Sequence, residues 1–380
     1  MVISFPGEPY LAGGWSPGFL FGQWRIDGTG QAKYDEEKAF PGKQNRYRDR
    51  RTGPQSEDRS DRQERRTDIM NYHQYQFSVP QEKMVRVITD TDAKNEADDQ
   101  FAIVQGLLSP KFENVGLIAA HFGTDRVPDS MERSYRELQT IFEKMDLPSQ
   151  DMLYKGAPHA MERDDLPVES EGARLIVREA MKADPRPLYV LFLGPLTDLA
   201  SAYLMEPRIA GRLCAIWIGG GRYPDGGPEY NLGNDITAAQ VVFASNMELW
   251  QVPQDVYQMM TVSLAELEYR VRPCGKIGAY LCDQLEAHSH EPGPRTSPFR
   301  AGEAWVLGDN PAVGLLLYGH RFDYDCVPAP QITADGRYLH TGLSRKIRVY
   351  NRVDNRFILE DLYAKLALFS RNQASCQTHP

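Results

Sequence analysis

From Val85 onward, short apolar runs alternate with amphipathic stretches at helical spacing. Val85-Arg86-Val87-Ile88-Thr89 is a β-branched run of the kind that forms a buried strand. Behind it, Phe101, Ile103, Val104, Leu107 and Leu108 fall on one helical face, so the polar residues between form a strand-to-helix loop. The alternation continues with strands predicted at 117–120, 188–193, 215–218 and 249–252, and helices at 131–145, from Leu199 to Tyr203 and at 237–245. Strand, crossover helix and parallel strand in repetition predict an α/β fold, a doubly wound, mostly parallel open sheet of Rossmann-like type. Ile347-Arg348-Val349-Tyr350 is more polar and reads as an edge strand, and 360–369 as a closing helix.

Residues 1–83 break the pattern. They are rich in Gly, Pro and Gln, and carry mixed charge from Arg46 to Arg66. Such a segment buries too little apolar surface to offset its ordering entropy, and a disordered extension is expected. The folded domain is expected over 84–372, with 373–380 as a tail. A formal charge of -9 argues against a nucleic-acid partner. No apolar run approaches the roughly 20 residues that cross a bilayer, and the N-terminus lacks the features of a secretory signal. Five scattered cysteines, none in a C-x-x-C pair, read as reduced thiols and point to the cytoplasm.

The candidate chemistry sits behind the first strand, where Asp90, Asp92, Glu96, Asp98 and Asp99 crowd into ten residues. In an open parallel sheet this loop lies at the carboxyl edge, where ligands bind. Like charges this close need a cation or protons to offset them, and closely spaced oxygen ligands suit calcium or magnesium. Two readings stay open, a metal or catalytic loop and an ordinary acidic helix cap at Asp98 or Asp99. A haloacid-dehalogenase-type phosphatase also places D-x-D here, but Lys94 stands where that pattern wants Thr or Val.

Five segments in order then carry a resemblance: Asp90-Thr91-Asp92 with Asp98-Asp99, Gly194-Pro195-Leu196-Thr197-Asp198, Gly219-Gly220-Gly221, Glu229-Tyr230-Asn231-Leu232 with Asp235, and Gly308-Asp309-Asn310-Pro311. Together they resemble the nucleoside hydrolase family across 85–369. That resemblance implies the nucleoside hydrolase fold and calcium-dependent cleavage of the bond between ribose and a nucleobase. It further implies that Asp92, Asp99, Asp309 and the backbone carbonyl of Thr197 hold Ca²⁺. Asp98, Glu229, Asn231 and Asp309 would bind the ribose, and Asp92 would be the base that takes a proton from the attacking water. The implied partner is a small nucleoside or riboside, and the implied assembly a homodimer or homotetramer. Asp235, just before Ile236-Thr237-Ala238-Ala239, reads as a helix N-cap.

Three departures separate this chain from the family pattern. Two extra residues lie between Asp92 and Asp98, so that Asn95 and Glu96 either line the site mouth or form a solvated bulge. Gly308 stands where some members carry a histidine acid. Thr124 stands where an asparagine is common. His121 is then the candidate proton donor, Phe122 or Tyr223 the candidate stacking face, and the segment 286–300, with His288, His290, Arg295 and Arg300, a candidate lid. The rival to a hydrolase is a sugar- or nucleoside-binding pseudoenzyme that keeps the ligands and has lost turnover.

Overall fold

Strand β1 (Val85–Thr91) is buried along its whole length, because it lies mid-sheet with parallel neighbours on both sides. The computed structural model describes residues 75–290, 302–319, 322–342 and 345–377, and two short strands, Trp24–Ile26 and Ala32–Tyr34. The chain divides into two units, Met1–Glu57 and Asp58–Pro380. In the first, the described part is the antiparallel pairing of those two short strands; the rest of the expected extension up to Gln74 lies outside the described residues.

The second unit holds an eight-stranded sheet. Its further strands are β2 (Phe112–Ala119), β3 (Leu153–Lys155), β4 (Leu188–Phe192), β5 (Cys214–Ile218), β6 (Glu248–Val252), β7 (Tyr324–Pro328) and β8 (Lys346–Tyr350). The spatial order is β7-β8-β6-β5-β4-β1-β2-β3, and all pairings are parallel except β7 with β8. The doubly wound, mostly parallel sheet read from the pattern is the observed fold. One strand differs in place. β8 is not the edge, since β7 pairs outside it. β7 is short, largely exposed and ends in Pro328, which suits an edge strand but gives no apolar signal in sequence.

Side chains alternate between two cores, as a period of two requires. Leu191, Ile216 and Ile218 face the layer of α1 (Asp99–Leu107), α2 (Ser130–Lys144), α6 (Gly275–Ser289), α7 (Asn310–Tyr318) and α8 (Asn355–Gln377). Val190, Phe192, Ala215 and Trp217 face α3 (Glu171–Ala180), α4 (Thr197–Met205) and α5 (Ile236–Ala244). Each fully buried aliphatic or Phe side chain contributes about 1.5–3 kcal/mol of transfer free energy. α8 runs to Gln377, so residues 373–377, expected as tail, continue the closing helix.

Trp217 ties packing to the site. It is fully buried, stacks edge-on against Phe243 at 5.9 Å, and donates from Nε1 to the Gly194 carbonyl at 3.1 Å. The glycine turn after β5 explains itself at Gly220. Its φ is +80°, and a Cβ there would collide with the Gln251 amide and the Tyr338 hydroxyl. Gly220→Ala should therefore destabilise the unit by about 2–3 kcal/mol, read as a lower denaturant midpoint at unchanged m. An unmoved midpoint would remove the steric argument.

Candidate active site

The acidic loop leaves β1 and is pinned before it reaches α1. Ala93 and Ala97 are buried in the core. Their carbonyls accept from Gln100 Nε2 at 2.5 Å and Gln284 Nε2 at 2.8 Å. The segment between them is therefore held as a rim, and both Asn95 and Glu96 line the cleft it borders. Lys94 points elsewhere, to Glu137 at 3.0 Å.

The cleft brings together Asp92, Asp98, Asp99 and Asp309, with Glu229 and Asn231 across from them. Asp98, Asp99 and Asp309 are buried, and each offers an oxygen within 4.8 Å of the others. Neither acid at the start of α1 is spent on capping: the Asp98 side chain makes no cap bond, and its Oδ2 instead accepts from Gly308 N at 2.9 Å. Thr91 Oγ1 donates to Asp99 Oδ1. Asp92 Oδ2 accepts from Asn95 Nδ2 at 3.2 Å, and the backbone at Gly194 passes so close that a Cβ there would lie 3.0 Å from Asp92 Cγ.

Burial is the main force on every one of these carboxyls. It pushes Asp98 up to about 6 and Asp99 to about 8, the charge of Asp98 adding to the rise at Asp99. Asp92 and Asp309 are driven well above the carboxylate range by burial, then by neighbouring acids, Asp99 first for Asp92 and Asp98 first for Asp309. No arginine or lysine lines the cleft among the described residues. Buried acids without a basic partner are the donor set of a hard divalent cation. Asp90, deeper in β1, is also fully buried, and neither of its carboxyl oxygens has a hydrogen-bond partner among the described residues; burial and then Asp198 raise its pKa, which favours the neutral acid.

Asn231 and Glu229 shape the far wall. Asn231 Nδ2 donates to the Leu193 carbonyl at 2.7 Å and the Ile218 carbonyl at 2.9 Å, clamping the ends of β4 and β5. Glu229 caps the short helix Tyr230–Asn234 and also accepts from Gly220 N at 2.7 Å and Tyr257 Oη at 2.9 Å. Asp235 caps α5 through Ala238 N at 2.8 Å, as its place before the helix suggests.

Four residues expected at the site fall outside the cleft lining. Thr197 does not line the cleft. It opens α4, and its hydroxyl is engaged by Asp235 Oδ2 at 2.7 Å and His121 Nε2 at 2.8 Å. Four residues earlier, Leu193 does line it, with its carbonyl already held by Asn231. His121 is fully buried behind Thr197, outside the cleft lining. Burial, and then His159, push it down to about 4, so it is a neutral hydrogen-bonded imidazole and not a solvent-fed acid. Phe122 and Tyr223 also lie outside the lining; the aromatic walls are Tyr230 and Tyr257. Of the expected lid, 291–300 lies outside the described residues, and His288 packs edge-on against Trp305. A larger hollow of about 510 Å³, lined by Leu264, Leu285 and Trp305, shares no residue with the cleft, and its two acids, Glu268 and Glu286, both pair with Arg272.

Neither Tyr230 nor Tyr257 carries a sequence signal of its own. Tyr230 stands between the two polar residues Glu229 and Asn231. Tyr257 belongs to a four-residue helix, Gln254–Tyr257, that carries no motif. Its ring occupies the space a side chain at 308 would take, since a Cβ on Gly308 would lie 3.0 Å from Tyr257 Cδ2.

A doubly wound α/β sheet with a carboxylate cleft at its carboxyl edge defines a class of enzyme that handles polar ligands through a cation and acid–base groups. The family described as inosine-uridine preferring nucleoside hydrolase matches residues 87–358, and the chain belongs to it. It is thus an N-glycosyl hydrolase by kind. A probable uridine nucleosidase 2 of Arabidopsis thaliana is 26% identical over 228 residues, 53% of this chain and 69% of that protein. A pyrimidine-specific ribonucleoside hydrolase, RihA, of Salmonella arizonae is 26% identical over 230 residues, 54% and 73% of the two chains. A purine-preferring ribonucleoside hydrolase from Gardnerella vaginalis shares the fold, with TM-score 0.62 at 20% identity over 75% of this chain and 99% of that one.

Proposed function

We propose that the chain hydrolyses the N-glycosidic bond of ribonucleosides or related ribosides, with calcium held by Asp92, Asp99 and Asp309. The observation that carries this reading is the buried group of Asp98, Asp99 and Asp309, whose oxygens lie within 4.8 Å of one another, with Asp92 in the same cleft and no lysine or arginine lining it among the described residues. The oxygen-only donor set favours calcium or magnesium over zinc. We assign the backbone oxygen of the site to Leu193, which lines the cleft, in place of Thr197, which does not.

The bound cation would acidify a water and draw in a sugar diol. The protein supplies the rest. Asp92 takes the proton of the water that attacks the anomeric carbon. Asp98, Asn231 and Asp309 orient ribose hydroxyls, while Glu229 holds the loop that presents Asn231. Several carboxylates around the ring favour the positive charge that develops as the glycosidic bond breaks. The four described cysteines are unpaired, three of them buried, which supports a reducing compartment such as the cytoplasm. Among the described residues, no helix is long and apolar enough to cross a membrane.

Ribose release from a nucleoside panel tests the reading directly. Turnover should fall by about a thousandfold or more on chelation and return on adding calcium, in keeping with what electrostatic groups contribute to such steps. If nucleosides raise the melting temperature in calcium yet no ribose appears, the chain is a sensor and the hydrolase reading is lost.

A further inference from the structure

Departure of a neutral base as an anion is costly, so an acid normally protonates it as the bond breaks. In the function proposed above, the buried carboxyls of the cleft are assigned to the cation, the attacking water and the ribose, and none of them to the leaving base. Among the described residues that line the cleft there is no histidine, lysine, arginine or cysteine. Its two phenols are committed: Tyr230 Oη donates to Asn95 Oδ1 at 2.5 Å, and Tyr257 Oη donates to Glu229 Oε1. Burial pushes Tyr230 up to about 12 and Tyr257 well above the usual phenol range, which weakens both as acids.

The same walls carry acids and no bases. Six carboxyl groups line the cleft, those of Asp92, Glu96, Asp98, Asp99, Glu229 and Asp309, and no lysine or arginine does among the described residues. Glu96 is the acid furthest from the buried group in role, since it sits half-buried on the pinned rim. It lines the cleft together with both aromatic walls, Tyr230 and Tyr257. Two aromatic walls and a carboxylate are the elements that recognise a flat organic cation. The Arg126 guanidinium covers one face of Tyr230 at 4.5 Å and is not part of the lining.

Resting on the hydrolase reading above, we propose that this cleft prefers cationic N-ribosides, whose leaving nitrogen already bears positive charge, over neutral nucleosides, with Glu96 as the residue that sets the preference. The step balances without an acid. Water oxygen bonds to the anomeric carbon, the carbon–nitrogen bond breaks, and its electron pair neutralises the ring nitrogen. The proton lost by water goes to Asp92 and then to solvent.

Matched pairs separate this from general hydrolysis: inosine against 7-methylinosine, and uridine against a ribosylpyridinium, each at saturating calcium. The cationic member should lead in kcat/KM by at least about a hundredfold. Glu96→Gln and Glu96→Ala should each shrink that lead about tenfold, chiefly by raising KM for the cation. A lead below about tenfold, or a lead that neither Glu96 variant changes, overturns the preference. Ribose released equally well from both members overturns it while sustaining the hydrolase reading. Ribose released from no member overturns both.

Discussion

Asp99→Asn is expected to yield a protein that is more stable than the parent in chelator, insensitive to calcium, and inactive. The buried acid group without its cation is a store of repulsion, because Asp99 faces Asp98 and Asp309 at close range. An amide of the same shape stays neutral without taking up a proton and keeps the bond from Thr91 through its carbonyl oxygen. In the parent, calcium at a thousand times its Kd should add about 4 kcal/mol of stability, and the variant should lose most of that gain. The pH dependence fixes the sign. The folded-state pKa of Asp99 is about 8 against an ordinary 3.8, so the folded protein keeps a proton that the unfolded chain releases. Its contribution is fully favourable below about pH 4 and is lost as pH rises toward 8, at about 1.4 kcal/mol per unit. Calcium-free parent should therefore melt at a lower temperature at pH 8 than at pH 5, whereas Asp99→Asn should show a flatter profile. Calorimetry with and without chelator reads all three effects. A parent with the same melting temperature in calcium and in chelator would remove the cation from the site.

The fold was legible because it depends on local pattern. The β-branched run 85–89 and the apolar run 188–193 favour burial, and their spacing from amphipathic helices leaves few topologies open. The edge was less legible: β7 is polar and short, and only its partner β8 makes it a strand. Within the site, the acids were readable because like charges behind a buried strand require an explanation. What sequence could not supply was direction. Thr197 and Leu193 lie four residues apart across a strand-to-helix turn, and only the backbone path decides which faces the cleft. His121 stands at the end of a strand, but the hydroxyl of Thr197 and the surrounding core claim its ring. Asn95 and Glu96 became cleft residues only through the two glutamines that pin the loop on either side. Tyr257 fills the space beside Gly308, a substitution of volume between distant segments that no single motif records.

Asp92→Asn should retain the fold and bind substrate within a few fold of the parent, yet lose about 10³- to 10⁴-fold in kcat at saturating calcium. The expectation follows from where the side chain is held. Asn95 Nδ2 grips one oxygen, Gly194 presses against Cγ, and burial with neighbouring acids raises proton affinity well above that of an exposed carboxylate. A base that binds protons more strongly abstracts them more readily, provided the cation keeps it ionised before reaction. The amide preserves an oxygen toward the cation but cannot accept the proton, so the loss should fall on kcat and leave KM nearly unmoved. That split distinguishes a lost base from a lost ligand, which would raise the calcium requirement and recover at higher calcium. Rescue by calcium would make Asp92 a ligand alone and move the base elsewhere on the rim. An unchanged kcat would leave this carboxylate without any part in the chemistry.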